Sequence, residues 1–233
     1  RATDPFSGGR NFVNHPVVPE WNVMPVTSPI ETQYPIATGT ALAQKRFGGK
    51  GITIVTGGDA GTAEGDFASC LNFASRPGVE LPMLIVVTNN RYGISTPYEE
   101  VHGDQTIAKR AGSFGIEWGT VNGNDPIESY LKLFEVMEHI RFARRPYCLE
   151  ASVSRLHGHS SSSGGGRVEG ELDCLEVFGE CLQEELMIDA DELKQIKKQY
   201  EDEILKELKQ VRQEPYPEAH TMYDHVFAER QEA

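Results

Sequence analysis

Along this chain, short apolar runs rich in β-branched residues alternate with longer stretches in which apolar residues recur every three or four positions. A parallel sheet buried on both faces reads as near-continuous apolar strands, and its crossovers read as amphipathic helices, so the pattern predicts βαβ units. The predicted strands are 52–56, 81–88, 116–121 and 147–153. One helix is predicted over 29–46, with Ser28 as cap, Pro29 in the first turn and Gly48-Gly49 past the end, and another over 62–75. Pro126 opens a third, whose Ile127, Leu131, Phe134, Met137 and Ile140 form the stripe expected to face the core, with Arg141, Arg144 and Arg145 at its negative end. Residues 156–170 are mostly Ser and Gly and read as a mobile loop. After it, Asp189 or Asp191 caps a long helix with Leu193, Ile196, Tyr200, Ile204, Leu208 and Val211 on one face, packed on the body or on a partner. The expected fold class is α/β, a parallel sheet flanked by helices, with a C-terminal helical extension.

Length and composition narrow this further. A chain of 233 residues buries a sizeable core as one large domain or two small ones, and 39% apolar with 24% charged residues is an ordinary globular balance. No apolar run approaches the ~20 residues of a membrane span. The net charge of −13 and pI near 5.0 argue against nucleic acid and anionic membrane as partners. From Val168 to Ala233 there are 19 acidic and 7 basic residues, which leaves Arg1–Arg167 at a net −1. The chain is therefore expected to divide into an α/β region, 1–167, and an acidic helical region, 168–233. Cys70, Cys148, Cys174 and Cys181 show no metal or redox spacing and are expected to be free thiols. The chain opens on Arg1, and an upstream portion is expected to be missing.

The candidate chemistry begins at Gly57-Gly58-Asp59-Ala60-Gly61-Thr62, directly after a predicted strand and before a helix. Such a turn presents backbone N–H groups at the carboxyl edge of the sheet, which suits a phosphate group. It is neither a G-x-G-x-x-G nor a Walker turn. A carboxylate in the middle of an anion-binding turn repels the anion unless a divalent cation lies between them, so Asp59 points to a metal-bridged phosphate. Thr88-Asn89-Asn90-Arg91-Tyr92-Gly93 ends the next strand. Both strands finish on one edge, so Asp59 and Asn90 converge although 31 positions apart, a set that suits Mg²⁺.

The pairing Gly58-Asp59-Ala60 to Asn89-Asn90 resembles the thiamine diphosphate fingerprint. Together with Ala63-Glu64-Gly65-Asp66, Leu71-Asn72-Phe73-Ala74 and Tyr92-Gly93-Ile94-Ser95-Thr96-Pro97, it resembles the alpha chain of the decarboxylating component of 2-oxo acid dehydrogenase complexes. Thr27-Ser28-Pro29-Ile30-Glu31-Thr32-Gln33 is closer to the branched-chain (2-oxoisovalerate) type than to the pyruvate type, and Arg155-Leu156-His157-Gly158-His159-Ser160 resembles the family's active-site loop. The resemblance implies a thiamine diphosphate-binding, transketolase-like fold. It implies Mg²⁺ on Asp59, Asn90 and the carbonyl of Tyr92, and a diphosphate lined by Gly58, Ala60 and Gly61. It further places Ser28, Pro29, Ile30 and Ile94 beside the cofactor, with His159 over it as the catalytic histidine assisting acyl transfer. Thr27, Pro29, Thr32 and Gln33 match a segment that holds K⁺ in some relatives. The implied activity is oxidative decarboxylation of a 2-oxo acid with transfer of the acyl group to a lipoyl group. The implied partners are a beta subunit in an α2β2 heterotetramer and a lipoyl-bearing acyltransferase. The implied location is the cytoplasm of a bacterium or the mitochondrial matrix of a eukaryote.

The chain departs from the family pattern in three places. Ala60 replaces a glycine and requires a negative φ. Thr88 replaces an arginine, and Ser161-Ser162-Ser163-Gly164-Gly165-Gly166 replaces a run with an acidic pair, which leaves open whether an internal Arg-carboxylate pair orders the loop. Two alternatives stay open: a pyruvate or acetoin dehydrogenase alpha chain, and a non-catalytic partner subunit. His15, His102, His139, His157, His220 and His225 are read as surface or packing residues.

Overall fold

The computed structural model describes residues 1–11, 15–160, 163–224 and 226. Two compact units emerge, Ser28–Glu184 and a second made of Arg1–Thr27 with Glu185–Ala233. The charge step at 167/168 lies inside the first of these.

The unit Ser28–Glu184 carries four parallel strands in the order β1-β2-β4-β3: β1 (Thr53–Gly58), β2 (Met83–Asn89), β3 (Glu117–Asn122) and β4 (Tyr147–Ser152). β2 and β4 lie in the middle, and β2 shows why their runs are continuous. Met83, Ile85 and Val87 point into one core with α1 (Gln33–Arg46) and α2 (Gly65–Ala74), while Leu84 enters a second core on the other face with Val136, Ile140 and Leu149. The side-chain period of two sends alternate residues to opposite faces, so the stretch Met83–Val87, covered on both sides, is apolar at every position. β1 is an edge strand covered on one face only, and Ile54 is 51% exposed.

α1 starts later than its Ser28-Pro29 signal implied. Glu31 adopts φ +65, a left-handed residue that an α-helix cannot pass, so the helix begins at Gln33 and the Thr32 hydroxyl donates to the carbonyl of Pro29 instead of capping (3.0 Å). Similarly, a 3-10 turn over Ala60–Ala63 and an extended Glu64 precede α2, whose Phe67, Cys70, Leu71 and Ala74 are all buried. Burying each of the two large side chains contributes about 2 kcal/mol. Two short helices, α3 (Tyr98–Val101) and α4 (Lys109–Gly112), which the periodicity did not reveal, fill the β2–β3 crossover.

The helix α5 (Pro126–Ala143) is capped by Asp125, which accepts from the N–H groups of Ile127 and Glu128. Its core-facing stripe is a correction. Val136 and Ile140 are buried, but Ile127, Leu131 and Phe134 are each more than half exposed, because the face turned to the sheet is the neighbouring one that carries Leu133, Val136, Met137 and Ile140. Its left-handed C-cap, Arg144, donates its guanidinium N–H groups to the carbonyls of Gly49, Lys50 and Gly51. The helix α6 (Cys174–Glu184) ends this unit.

In the other unit, α7 (Ala190–Gln213) opens with a capping box between Asp189 and Glu192, which decides between the two candidate caps. No residue of α7 is buried, so its apolar stripe is left uncovered among the described residues. The N-terminal segment ties to the end of α7 through Ala2 N–H to the carbonyl of Pro215 (2.9 Å) and the Thr3 hydroxyl to Glu214 (2.6 Å). Among the described residues, no helix is long and apolar enough to cross a membrane.

Candidate functional site

The parallel register of β1 on β2 pairs Gly58 with Thr88, and the N–H of Asp59 continues the ladder to the carbonyl of Thr88 (3.1 Å). Asp59 therefore stands beside the start of the Asn89-Asn90 turn at one sheet edge. Thr88 donates its hydroxyl to the carbonyl of Gly57 (3.1 Å), so it joins the two strand ends. Ala60 enters a right-handed turn with negative φ, as its side chain requires. The Asp59 side chain is buried, and its Oδ2 has no hydrogen-bond partner. Burial raises its carboxyl above the usual range, opposed by backbone N–H groups that include those of Ala60 and Tyr92. A buried carboxylate oxygen without a partner is costly unless a cation meets it. Among the described residues no group of three His, Cys, Asp or Glu surrounds it. Further ligands here would be amide and carbonyl oxygens, the donor set of a hard cation.

The two asparagines do different things. Asn90 is half-buried and its Oδ1 accepts from Tyr92 N–H (2.9 Å), which fixes the turn that carries the Tyr92 carbonyl. Asn89 is buried, accepts from Arg91 N–H (2.8 Å) and donates to Glu150 (2.7 Å). Arg91 adopts φ +61 and is held by an ion pair to Glu99 and by its position over the ring of Tyr98. Glu150 was missed from the sequence, although a charged residue in the middle of an apolar strand was the available signal. Its second oxygen accepts from Ala108 N–H (2.9 Å), so this one buried carboxylate ties β2 to the start of α4. Both of its partners are donors. Glu150→Gln can satisfy only one of them, so a loss of roughly 1–3 kcal/mol is expected in denaturant unfolding; an unchanged midpoint would contradict this arrangement.

The segment 28–33 meets the same edge through Glu31. Gln33 donates to the carbonyl of Thr56 (3.2 Å) and to Glu31 (3.3 Å). Glu31 lies against the glycine turn, where a Cβ at Gly57 would come within 2.8 Å of its Oε2 and one at Gly61 would overlap its Oε1. Pro29 and Thr32 meet in this turn, Ile30 is exposed, and Thr27 ends a segment of the other unit. Burial pushes the Glu31 carboxyl up to about 7, with Glu64 and Asp66 adding to the effect. A carboxyl whose pKa rises on folding binds more protons in the native state than in the unfolded one. Its stability penalty therefore grows as pH climbs from about 4.5 through 7. Glu31→Gln is expected to melt near wild type at pH 5 and higher than wild type at pH 8, by up to ~3 kcal/mol in stability. Parallel melting curves across that range would refute it.

The serine-glycine loop is anchored at its base, where His157 pairs with Arg167 as an antiparallel bridge and Val168 N–H donates to the carbonyl of Leu156 (2.9 Å). The Arg155 guanidinium donates to the carbonyls of Gly93 (2.6 Å), Ile94 (2.7 Å) and His157 (3.2 Å), so it ties the loop base to the 93–94 turn through main-chain oxygens. A cavity of about 420 Å³ lies between this loop and the Tyr92–Ser95 turn, lined by Tyr92, Ile94, Arg155 and Arg167 among others. His159 is exposed on the loop and does not line that cavity. Ser161, Ser162 and His225 lie outside the described residues. His157 and His220 are exposed and His139 is half-buried, whereas His102 is buried beside Asp59.

Four separate segments thus meet at the carboxyl edge of β1 and β2: 28–33, 57–63, 89–97 and the base of the 155–168 loop. A family model described as dehydrogenase E1 component matches residues 4–220. The chain belongs to the dehydrogenase E1 component family. Within it, the chain is 34% identical over 240 aligned positions to the 2-oxoisovalerate dehydrogenase subunit alpha of Bacillus subtilis (strain 168), covering 98% of this chain and 71% of that protein. It is 28% identical to the mitochondrial 2-oxoisovalerate dehydrogenase subunit alpha of Macaca fascicularis over 95% of this chain and 51% of that protein. It is 35% identical to the pyruvate dehydrogenase E1 component subunit alpha of Acholeplasma laidlawii over 60% of this chain and 40% of that protein. The chain therefore spans well under the full length of these E1 relatives.

Proposed function

We propose that this chain is the alpha subunit of a branched-chain 2-oxo acid (2-oxoisovalerate) dehydrogenase, acting with thiamine diphosphate and Mg²⁺. The observation that carries the reading is the buried, unpartnered Oδ2 of Asp59 at the edge where the Asn90–Tyr92 turn also ends. Two relatives matched over nearly all of this chain bear the 2-oxoisovalerate name, which favours that substrate.

In this reading Asp59, the Asn90 amide oxygen and the Tyr92 carbonyl hold the cation, and Gly58, Ala60 and Gly61 approach the diphosphate through their backbone. Ser28, Pro29, Ile30 and Ile94 border the cofactor, and Thr27, Pro29, Thr32 and Gln33 are candidates for K⁺. When bound, thiamine diphosphate supplies the electron sink for decarboxylation; the chain supplies position and electrostatics. His159, exposed on its loop, would be the group of this chain that holds or passes on a proton beside the bound cofactor. Arg155 holds the turn that carries Ile94 and keeps the loop base beside it. A beta subunit completing an α2β2 assembly and a lipoyl-bearing acyltransferase are the proposed partners, with the acidic region 168–233 as a solvent- or partner-facing surface. The proposed setting is bacterial cytoplasm, or the mitochondrial matrix in a eukaryote.

The test is decarboxylation of 2-oxoisovalerate, pyruvate and acetoin by the chain assembled with its beta subunit. Preference for 2-oxoisovalerate is expected, preference for pyruvate would reassign the substrate, and no turnover of any would favour a non-catalytic subunit.

A further inference from the structure

Asp59 is held by more than its neighbours in sequence. Its carbonyl accepts from Thr62 N–H (3.0 Å), the Thr62 hydroxyl (2.6 Å) and Nε2 of His102 (3.0 Å), the last from a residue 43 positions away. Asp59, Thr62 and His102 are all buried. On its other ring nitrogen, Nδ1, His102 meets Nη2 of Arg110 (2.8 Å). A guanidinium only donates, so Nδ1 must accept, and the ring proton therefore sits on Nε2, aimed at the Asp59 carbonyl. Arg110 is itself fixed by a two-pronged pair with Asp104 (2.6 and 2.8 Å) and uses Nη1 to reach the carbonyl of Thr62 (3.2 Å). The chain Asp104–Arg110–His102 thus grips both ends of the turn from Asp59 to Thr62. The ring of Tyr98 packs on His102 at 4.6 Å between centroids and limits its rotation.

We propose that His102 is a positioning residue for the metal edge: with its tautomer set by Arg110, it orients the Asp59 peptide so that the carboxylate faces the cation-binding position. This rests on the functional reading above, and it gives a role to a histidine whose sequence context suggested only packing. The Asp59 N–H is already tied to Thr88 and its carbonyl to three donors, so both flanking peptide planes are locked and the Cα–Cβ bond that carries the carboxylate points in a fixed direction. Releasing the carbonyl from His102 frees one of those planes. The unpartnered Oδ2 then no longer waits at a fixed point, and cation affinity falls although no ligand has changed.

The test is calorimetric titration of Mg²⁺, at saturating thiamine diphosphate, into the complex with the beta chain, for wild type, His102→Leu and His102→Gln. Glutamine keeps one donor for the Asp59 carbonyl and one acceptor for Arg110; leucine keeps neither. The expected result is a Kd for Mg²⁺ raised about tenfold or more by His102→Leu and restored to within about threefold of wild type by His102→Gln. Should His102→Leu fail to assemble, Arg110→Met carries the test, with a rise in Kd expected in the same direction. Wild-type affinity in His102→Leu or Arg110→Met, or an equal loss in both His102 variants, overturns the positioning role alone. Wild type that binds neither Mg²⁺ nor cofactor overturns the functional reading and this inference with it.

Discussion

Asp59→Ala is expected to abolish measurable binding of thiamine diphosphate with Mg²⁺ to the assembled complex. The buried carboxylate is the one charged ligand in the proposed set, and the other two donors are neutral oxygens that cannot hold a hard dication against its hydration alone. A weakening of about 100-fold or more is expected, the equivalent of ~2.8 kcal/mol. Asp59→Asn separates binding from folding. It replaces an unpartnered buried charge with a neutral amide of the same shape, so the cofactor-free protein should melt at a higher temperature than wild type while binding is lost. This is the trade expected where a site stores destabilisation for a ligand. Calorimetry measures the first effect and a thermal melt the second. Cofactor binding by Asp59→Ala at wild-type affinity would remove the metal assignment altogether.

Gly61→Ala is expected to destabilise the protein by roughly 2–3 kcal/mol, for a reason unrelated to phosphate. The added methyl would overlap Oε1 of Glu31, a buried side chain held in place by Gln33 and by its own left-handed backbone. Because the obstacle is one side chain, Glu31→Ala in the same chain should recover most of the loss, and the double-mutant cycle should show strong coupling. Additive effects in urea unfolding would mean that Glu31 and the glycine turn are not in contact. The glycines at 57 and 61 thus serve packing, since Gly57 leaves room for Tyr34 and Glu31, and Gly61 for Glu31.

The strands were legible because their signal is local. Four apolar runs fall within two residues of β1–β4, and Met83–Val87 of β2 is apolar throughout because both of its faces are covered there. Helix starts were less legible. Ser28-Pro29 is a sound start signal, yet Glu31 at φ +65 delays α1 to Gln33, whereas α5 does open at Pro126, as expected, with Asp125 as its cap. The stripe on α5 was correctly periodic but wrongly assigned to the core, since periodicity says that a face is apolar and not what lies opposite.

At the site, Asp59 and the Asn89-Asn90 pair were identifiable because each directly follows or ends a strand, and parallel strands finish on one edge. Their supports were not. Glu150 reaches Asn89 across 61 positions and His102 reaches Asp59 across 43, and nothing in the spacing of those residues marks the contact. The amino-acid order alone determined the α/β class, the strand positions and the two turns that carry the candidate ligands, because these depend on propensity and period within a few residues. Only the tertiary structure decided that β2 lies between β1 and β4, that Glu31 packs into the glycine turn, and that Arg110 sets the tautomer of His102. Those features arise from contacts between distant segments, whose energies exist only once the sheet has brought the segments together.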